Sequence, residues 1–363
     1  MWFSKKKRLQ LNVEKCMVLV MSNNKYCVVY PRLKIDGKAV KCVYEIVYLG
    51  EQFNYMGSNK DLIEDRMKKG RVCIINAMAL CNEVTMGVYA IETLLLLYKS
   101  FFLQVVLYNS QAWCNLTTKE LASLKTIQLK YLKRIFHAPS STSNPITLLE
   151  TGTLPIEQEI NKRQLNFLHH VLLISLEEND PVKIVYQEQL KFEDEKNWGN
   201  EVRKVRQRYD LLETDDEIAA YSKETWKGIV KRKLKSFALQ QLNEELSQQR
   251  QGSKLSPYTE LKQQEYLVAL TPQQARKAFH VRAGILNIKA VRKYWYKDTE
   301  CRLCGGEEED VNHVVNDCKA VPRCSRIGSV LSNDLPEIKE IADRCILFGT
   351  LVKELEGEQA GVV

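Results

Sequence analysis

Four potential metal ligands lie close together in one short stretch of the sequence. The stretch CRLCGGEEEDVNHVVNDC, residues 301–318, contains Cys301, Cys304, His313 and Cys318. Two cysteines separated by two residues can hold one ion from a tight turn, and Gly305–Gly306 lets the backbone fold back behind them. His313 and Cys318 are five residues apart, about one helical turn, so a helix can present both to the same ion. Three thiolates and an imidazole complete the tetrahedral shell of a structural zinc ion, without an open catalytic position.

Two features near these residues leave alternatives for the ligand set. Cys324 could replace Cys318, although it lies six residues further on and fits the helical-turn geometry less well. The acidic run Glu307–Asp310 could contribute a carboxylate, but its charge favours a solvated loop. Four unrelated side chains are the alternative to a metal site. No cysteine lies between Cys114 and Cys301, and this clustering favours zinc.

A basic and aromatic segment precedes the cysteines. Residues 271–297, TPQQARKAFHVRAGILNIKAVRKYWYK, contain no acidic residue. Basic side chains neutralise phosphates and aromatic side chains stack on unpaired bases. The candidate nucleic-acid contacts here are Arg276, Lys277, Arg282, Arg292, Lys293 and Trp295. The alternative is a solvated basic helix with its aromatic residues in the core.

A second basic cluster lies at residues 226–235, WKGIVKRKLK. It adds Lys231, Arg232 and Lys233 to the candidate contacts. The chain as a whole has 53 basic and 45 acidic residues, a net charge of +8 that points weakly to a polyanionic partner. Local clustering is therefore the stronger indication of RNA and DNA as partners.

Composition and cysteine use predict an intracellular protein with substantial cores. The chain has 363 residues, 45% of them hydrophobic, enough for two or three domains. The first residues, MWFSKKKRLQLNVEKC, lack the apolar stretch of a signal peptide, and the scattered single cysteines are typical of a reducing compartment. The run KKKR at residues 5–8 could direct the chain to the nucleus. We expect a nuclear location or a cytoplasmic ribonucleoprotein, not a secreted protein.

The most apolar run, residues 91–108, predicts a core helix and not a membrane span. Lys99 and Gln104 interrupt it and Glu92 opens it, whereas a span needs about 20 mostly apolar residues. We therefore expect no membrane partner.

Periodicity predicts a mainly α-helical chain that follows a small β region. The segments CMVLVMS, KYCVVYP and KCVYEIVYLG within the first fifty residues are apolar and β-branched, as strands are. From Lys60 onward the apolar spacing is helical. Thr117 and Glu120 form a capping box before a stripe of Leu and Ile residues. Two basic helices are expected within residues 271–297, and a short helix near the C-terminal end.

The order of these parts resembles the C-terminal region of reverse transcriptases from non-LTR retrotransposons of the restriction-like-endonuclease type. LQLNVEKCMVLVMS resembles motif D, and VYLGEQFNYMG resembles motif E, the primer grip. IEDRMKKG looks like the start of a thumb, and LYNSQAW resembles the family's Tyr-Gly-x-Glu-x-Trp. LKTIQLKYLKRIFHAP and TLLETGTLPIEQEINKRQLNFLHHV match the following helices, after which the family has a linker and a Cys-Cys-His-Cys knuckle. The resemblance covers roughly residues 9–320.

This resemblance implies a division into five regions. They are a partial palm at 1–57, a helical thumb at 58–180, a basic helical linker at 181–300, a zinc knuckle at 301–325 and a C-terminal helix or tail at 326–363. Lys15 matches the motif D lysine, a general acid in an intact polymerase. The matches to the primer grip are Tyr48, Leu49 and Gly50.

Departures from the family pattern predict that the chain does not polymerise alone. The family's metal-binding carboxylates lie upstream of motif D, so Mg is expected only in an intact polymerase. The one Asp-Asp pair, Asp215–Asp216, lies far downstream in a helical context and is expected to be solvated. Asn109 and Gln111 replace the family's Gly and Glu.

The sequence thus predicts a fragment of an RNA-directed DNA polymerase that binds template RNA and DNA. The missing palm and fingers portion is a further candidate partner. One alternative is a recruited stand-alone nucleic-acid-binding protein. Another is a helical scaffold in which zinc joins two helices.

Overall fold

The computed structural model describes residues 12–21, 32–35, 37–84, 90–174, 180–192, 196–249, 254–292, 294–322 and 327–360. Several predictions fall outside these ranges. They are the strand KYCVVYP, the basic run at residues 5–8, the phosphate contact of Lys293 and the alternative ligand Cys324.

The N-terminal region forms short paired strands, as the β-branched segments predict. The strands are β1 (Met17–Leu19), β2 (Lys34–Ile35), β3 (Lys38–Ala39), β4 (Lys41–Val43), β5 (Glu45–Tyr48) and β6 (Glu51–Asn54). β1 pairs with β4 in parallel, with Met17 opposite Lys41. β2 pairs with β3, and β5 with β6, in antiparallel hairpins.

Helices form most of the remaining described structure. They are α1 (Lys60–Val84), α2 (Ala90–Leu97), α3 (Leu103–Val106), α4 (Thr118–Ile135), α5 (Asn144–Thr151), α6 (Ile156–Ile174), α7 (Pro181–Leu190), α8 (Trp198–Arg208), α9 (Asp215–Ala220), α10 (Lys223–Ser247), α11 (Tyr266–Ala269), α12 (Pro272–Arg282) and α13 (Leu335–Ala360). π-helical turns occupy Tyr98–Phe102 and His313–Asp317. Thr117 and Glu120 cap α4 reciprocally, as predicted.

The second basic helix expected within residues 271–297 does not form. α12 ends at Arg282, and Gly284 adopts the left-handed region with φ +65°. A glycine in this conformation commonly ends a helix. The described residues that follow, 285–292 and 294–300, form turns, bends and irregular segments.

The apolar run 91–108 lies in the largest core. Ile91, Leu95, Phe102 and Val106 are buried there with the apolar stripe of α4. Within the described ranges no helix is both long and apolar enough to cross a membrane.

The packing of the described residues groups the helices differently from the predicted regions. A second cluster joins the end of α6 to α8 and the first half of α10, and a third joins residues 281–288 to 301–321, Ile327 and α13. α10 buries every fourth residue along one stripe: Trp226, Val230, Leu234, Ala238, Leu242 and Leu246. Positions four apart rotate by about 40° in an α-helix, so this stripe turns through about 200° along α10. The first half of the stripe belongs to the second cluster and the last half to the largest core.

Gly152, just after α5, provides a test of this packing. Its φ is +61°, and a Cβ there would lie 2.1 Å from the backbone of Lys262 and Gln263. We expect Gly152→Ala to lower the free energy of unfolding by about 2–5 kcal/mol, from left-handed strain plus displacement of the neighbouring backbone. Urea denaturation measures this change.

The control for this substitution is Gly228→Ala. Gly228 lies within α10, and a Cβ there would meet nothing within 4 Å. Alanine should stabilise that helix by about 0.5–1 kcal/mol. Equal effects of the two substitutions would contradict the close backbone approach at Gly152.

Candidate metal centre and its surroundings

Cys301, Cys304, His313 and Cys318 lie together in a cluster that could hold a metal ion. Their ligand atoms are all within 4.8 Å of one another. Cys301 Sγ is 3.8 Å from Cys318 Sγ, and Cys304 Sγ is 3.4 Å from His313 Nε2. Zinc–sulfur bonds of about 2.3 Å and zinc–nitrogen bonds of about 2.0 Å give tetrahedral edges of about 3.8 and 3.5 Å. The two measured separations match those edges.

A tight turn presents the first two ligands. The amide of Gly305 donates to the Cys301 carbonyl at 2.9 Å, and the amide of Cys301 donates to the Glu307 carbonyl at 3.1 Å. Gly305 has φ +63°, in the left-handed region that glycine adopts without strain. The predicted fold-back behind the cysteines is therefore present.

The last two ligands lie on a π-helical turn, where we expected an ordinary helical turn. The amide of Cys318 donates to the His313 carbonyl at 2.7 Å, a bond that spans five residues. In an α-helix, residues five apart point about 140° away from each other. The wider turn brings both side chains to the same side.

The crowded thiols have unequal acidities. Burial, and then the neighbouring Cys301 and Cys304, raise the pKa of the Cys318 thiol to about 12. Burial also acts to raise the pKa of Cys304. The Gly306 amide and hydrogen bonds from the other three members outweigh burial and bring the Cys304 pKa to about 7. Burial and the neighbouring sulfurs thus disfavour a second thiolate beside Cys304, and a bound cation would offset that penalty.

The buried Glu309 stabilises the turn. The expectation that the acidic run is a solvated loop is therefore wrong for this residue. Its carboxylate is fully buried. It accepts the backbone amides of Arg302 at 2.9 Å and Lys289 at 3.0 Å, and the Arg302 guanidinium at 2.7 Å. Arg302 also lies over the Phe348 ring of α13, 6.0 Å from its centroid. Glu309 and Arg302 thus join the ligand turn to the preceding segment and to α13.

The aromatic residues before the turn lie in two environments, one packed against the centre and one exposed to solvent. Tyr296 is half-buried, with Lys289 at 5.5 Å and Arg302 at 5.4 Å from its ring centroid. Trp295 is 81% exposed and Tyr294 is fully exposed. A core position is therefore wrong for these two side chains.

The basic candidates occupy different environments. Arg292, Lys231 and Arg232 are exposed. Lys233 pairs with Asp210 at 2.8 Å, so an anion would compete with that carboxylate. Burial lowers the pKa of the half-buried Lys277, and Gly349 of α13 is its neighbour.

Arg282 differs most from its predicted role, because its side chain is buried. Its Nε donates to Glu150 at 2.5 Å and its terminal nitrogen to the Ser332 carbonyl at 3.0 Å. Tyr258 also donates to Glu150. A guanidinium used in this way does not reach a phosphate on the surface. Charge alone could not indicate this burial, because the partner lies 132 residues away.

The residues that match motif D and the primer grip lie on the N-terminal region. Lys15 is exposed at the end of a short 3-10 turn, Val13–Lys15. Leu49 and Gly50 form the turn between β5 and β6 with φ +48° and +79°, and Tyr48 precedes them, 62% exposed. This region and the metal cluster belong to separate parts of the packing, and no described contact joins them directly.

Residues of the LYNSQAW segment hold that hairpin against the helices. Tyr108 donates to the Leu49 carbonyl at 3.0 Å, and Trp113 donates to the buried Glu51 carboxylate at 2.9 Å. Arg66 donates to the Gly50 carbonyl at 3.1 Å. The hairpin tip thus has a fixed position against α1 and the end of α3.

The Asp215–Asp216 pair lies in the first turn of α9. Asp216 is exposed, while Asp215 is half-buried and accepts from Arg206 at 2.7 Å and from Tyr186 at 3.1 Å. An ion pair and a helix start explain these carboxylates.

Sequence reasoning did not identify Arg302 or Glu309 as members of the centre. Their only signal was position, because Arg302 lies between the first two cysteines and Glu309 follows them in the acidic run. Their pairing depends on three-dimensional packing with Lys289 and Phe348.

Comparisons of the chain with protein-family models, curated proteins and solved structures gave no match. The resemblance to reverse transcriptases therefore stays a prediction from the motifs. The metal-binding arrangement does not depend on it, because it follows from distances within the chain.

Proposed function

We propose that this chain binds single-stranded regions of RNA or DNA through the surface beside a zinc-loaded Cys3His centre. The observation that carries the proposal is the exposure of Tyr294 and Trp295 on a segment that Tyr296 anchors to the centre. Two large aromatic side chains held out from a structured segment are a stacking platform for bases.

The surroundings of the platform have the charge that a nucleic acid requires. Arg292 and Lys297 flank the aromatic pair and are exposed. Glu300 and Glu308 are also exposed near the ligand turn. The two cations are next to the aromatic pair along the chain and the two carboxylates are further from it, so we expect the strand to follow the cations.

Zinc is the metal that the donor set favours. Three sulfurs and one imidazole nitrogen suit tetrahedral zinc, and all four positions of that shell would be protein ligands. Zinc would hold the turn in shape, and Arg302 and Tyr296 would transmit that order to the platform. The chain's own residues would then make every contact to the strand.

We infer that the chain derives from a retrotransposon reverse transcriptase and holds nucleic acid. The motif order supports this inference, with Lys15 and the hairpin tip at Tyr48–Gly50 in the matching positions. Polymerisation would need the carboxylates and Mg that the resembled family has upstream of motif D. We expect this activity in the nucleus, where the resembled elements integrate.

The first test is removal of the platform. We expect Tyr294→Ala/Trp295→Ala to weaken binding of a single-stranded 16-mer by about 1–3 kcal/mol per stacked base. Fluorescence anisotropy at several salt concentrations measures the affinity for matched RNA and DNA strands. The zinc content of each protein is measured in parallel.

Phe192→Ala is the matched control, because Phe192 is an exposed aromatic residue far along the chain from the centre. Its substitution should leave affinity unchanged. Equal affinity of the platform variant and the unaltered protein would contradict the proposed surface.

A zinc-stapled scaffold is the second candidate function. Arg344 of α13 donates to the Val315 carbonyl, and Asn316 bonds both the amide and the carbonyl of Ile327. These bonds favour a structural role for the centre. A folded, zinc-loaded protein that binds neither RNA nor DNA at low salt would support the scaffold and contradict the proposed binding function.

A further inference from the structure

A second cationic site lies away from the metal centre, in a cleft beside the end of α4. The cleft has a volume of about 790 Å³. Its basic lining residues are Lys130, Lys133, Arg134 and Arg276, together with His137. No carboxylate is among the residues that line it.

The positive charge in the cleft is not neutralised by the described residues. Lys133 is buried, and its ammonium donates at 2.7 Å to two neutral acceptors, the Ser140 carbonyl and Asn144 Oδ1. Arg276 donates through Nε to the Ile135 carbonyl at 3.0 Å. Among the side chains that the structure describes, which leave out those of residues 81–90, no acidic group forms an ion pair with these cations or with Lys130 and Arg134. Burial, Arg276 and Arg134 all lower the pKa of His137, as expected near excess positive charge.

Capping of the end of α4 explains part of this charge but not all of it. Basic residues at a helix C-terminus interact favourably with its carbonyls. Arg276 bonds the Ile135 carbonyl in this way, and His280 lies 2.8 Å from the Phe136 carbonyl, whereas Lys133 bonds the Ser140 carbonyl in the loop that follows. Lys130 and Arg134 are exposed and spaced four residues apart on one face. They take no part in the capping bonds described above.

The cleft also has apolar lining residues. They are Met78 of α1, Leu94 of α2 and Leu129 of α4. The cleft volume lies within the range of about 300–1,000 Å³ that is usual for small-ligand sites. Cationic and apolar lining residues together suit a nucleotide, with its phosphate on the basic residues and its base on the apolar ones.

We propose that this cleft seats one nucleotide unit of a nucleic-acid strand, with the phosphodiester on Lys130, Arg134 and Arg276. The proposal rests on the proposed nucleic-acid-binding function and adds a second contact to it. The base would lie against Met78 and Leu129.

The test uses the full chain loaded with zinc and the variant Lys130→Gln/Arg134→Gln. Both side chains are exposed, so the fold should tolerate the change. Because the one phosphodiester in the cleft would lose two of its cations, the slope of log Kobs against log salt should become shallower by about 0.7. The control, Lys119→Gln/Lys339→Gln, removes two exposed charges from α4 and α13 and should keep the slope. An unchanged slope in the Lys130→Gln/Arg134→Gln variant would contradict the cleft.

Acetylation of lysines, followed by mass spectrometry, gives a second readout. A bound 16-mer should protect Lys130 and leave Lys119 reactive. Adenosine monophosphate at the same nucleotide concentration should protect Lys130 far less; equal protection would indicate a free-nucleotide site and overturn the strand assignment.

The outcomes separate this proposal from the platform. One outcome would overturn the cleft alone. In it, strand binding depends on Trp295, the Lys130→Gln/Arg134→Gln variant keeps the salt slope, and the bound strand does not protect Lys130 from acetylation. A strand that protects Lys130 without dependence on Trp295 would support the cleft and contradict the platform. A protein that binds no strand at low salt would overturn both.

Discussion

Substituting Cys301 and Cys304 with serine should unfold the segment that holds the ligands, residues 301–318, and leave the rest of the chain folded. Structural zinc sites supply about 10–16 kcal/mol of apparent binding free energy at pH 7, and whole domains are stable by only about 5–15 kcal/mol. The apolar cluster around the ligands is small, with Val314, Val315 and Phe348 among its buried members. We therefore expect it not to persist without the metal.

Hydrogen exchange measures this effect segment by segment. Amides of residues 301–318 should lose protection in the double variant, while those of α4 and α6, which belong to the largest core, should keep theirs. Chelation of the metal from the unaltered protein should reproduce the pattern. Unchanged protection at residues 301–318 after metal removal would contradict the metal's structural role.

Three further variants test whether the result is specific to ligation. Cys16→Ser/Cys114→Ser makes the same chemical change at half-buried thiols outside the cluster and should have little effect. His313→Cys should retain the metal, because four cysteines are an ordinary zinc shell, whereas His313→Ala should lose most of the affinity.

Breaking the buried ion pair of Glu150 and Arg282 should produce the second large effect, a loss of stability. Glu150 is completely buried, and Glu150→Ala leaves the Arg282 guanidinium without its carboxylate. Breaking a buried pair from one side typically costs about 3–5 kcal/mol. Tyr258, whose pKa is raised by burial and by Glu150, would lose its acceptor as well.

Urea denaturation of the single and double variants tests this expectation. Glu150→Leu/Arg282→Met should cost less than Glu150→Ala, because no uncompensated charge remains. Arg282→Gln should destabilise the protein but keep the salt slope for nucleic-acid binding. A shallower slope in Arg282→Gln at full stability would restore the phosphate role that the sequence first suggested.

Local signals predicted local structure well. The capping box at Thr117 and Glu120, the apolar stripe of α4 and the fold-back at Gly305 each depend on residues a few positions apart. The ligand cluster was predictable for the same reason, because all four members lie within eighteen residues.

Features built from distant residues could not be predicted. Arg282 and Lys130 look equally suited to a phosphate in the sequence, yet one pairs with Glu150 and the other is exposed. The burial of Glu309 depends on Arg302 and on the amide of Lys289, twenty positions earlier. Charge predicts a preference for a polyanion, but burial decides which cations can meet one.

The π-helical turn at His313–Asp317 also determines how the ligand spacing can change. It contains one residue more than an α-helical turn needs to bring two side chains to one side. Deleting one residue between His313 and Cys318 would convert the spacing to i, i+4, which an ordinary α-helical turn presents on one face. The ligand set should therefore tolerate a single-residue deletion here if the turn changes its winding, and a bound metal would constrain the shape of this segment more than its length.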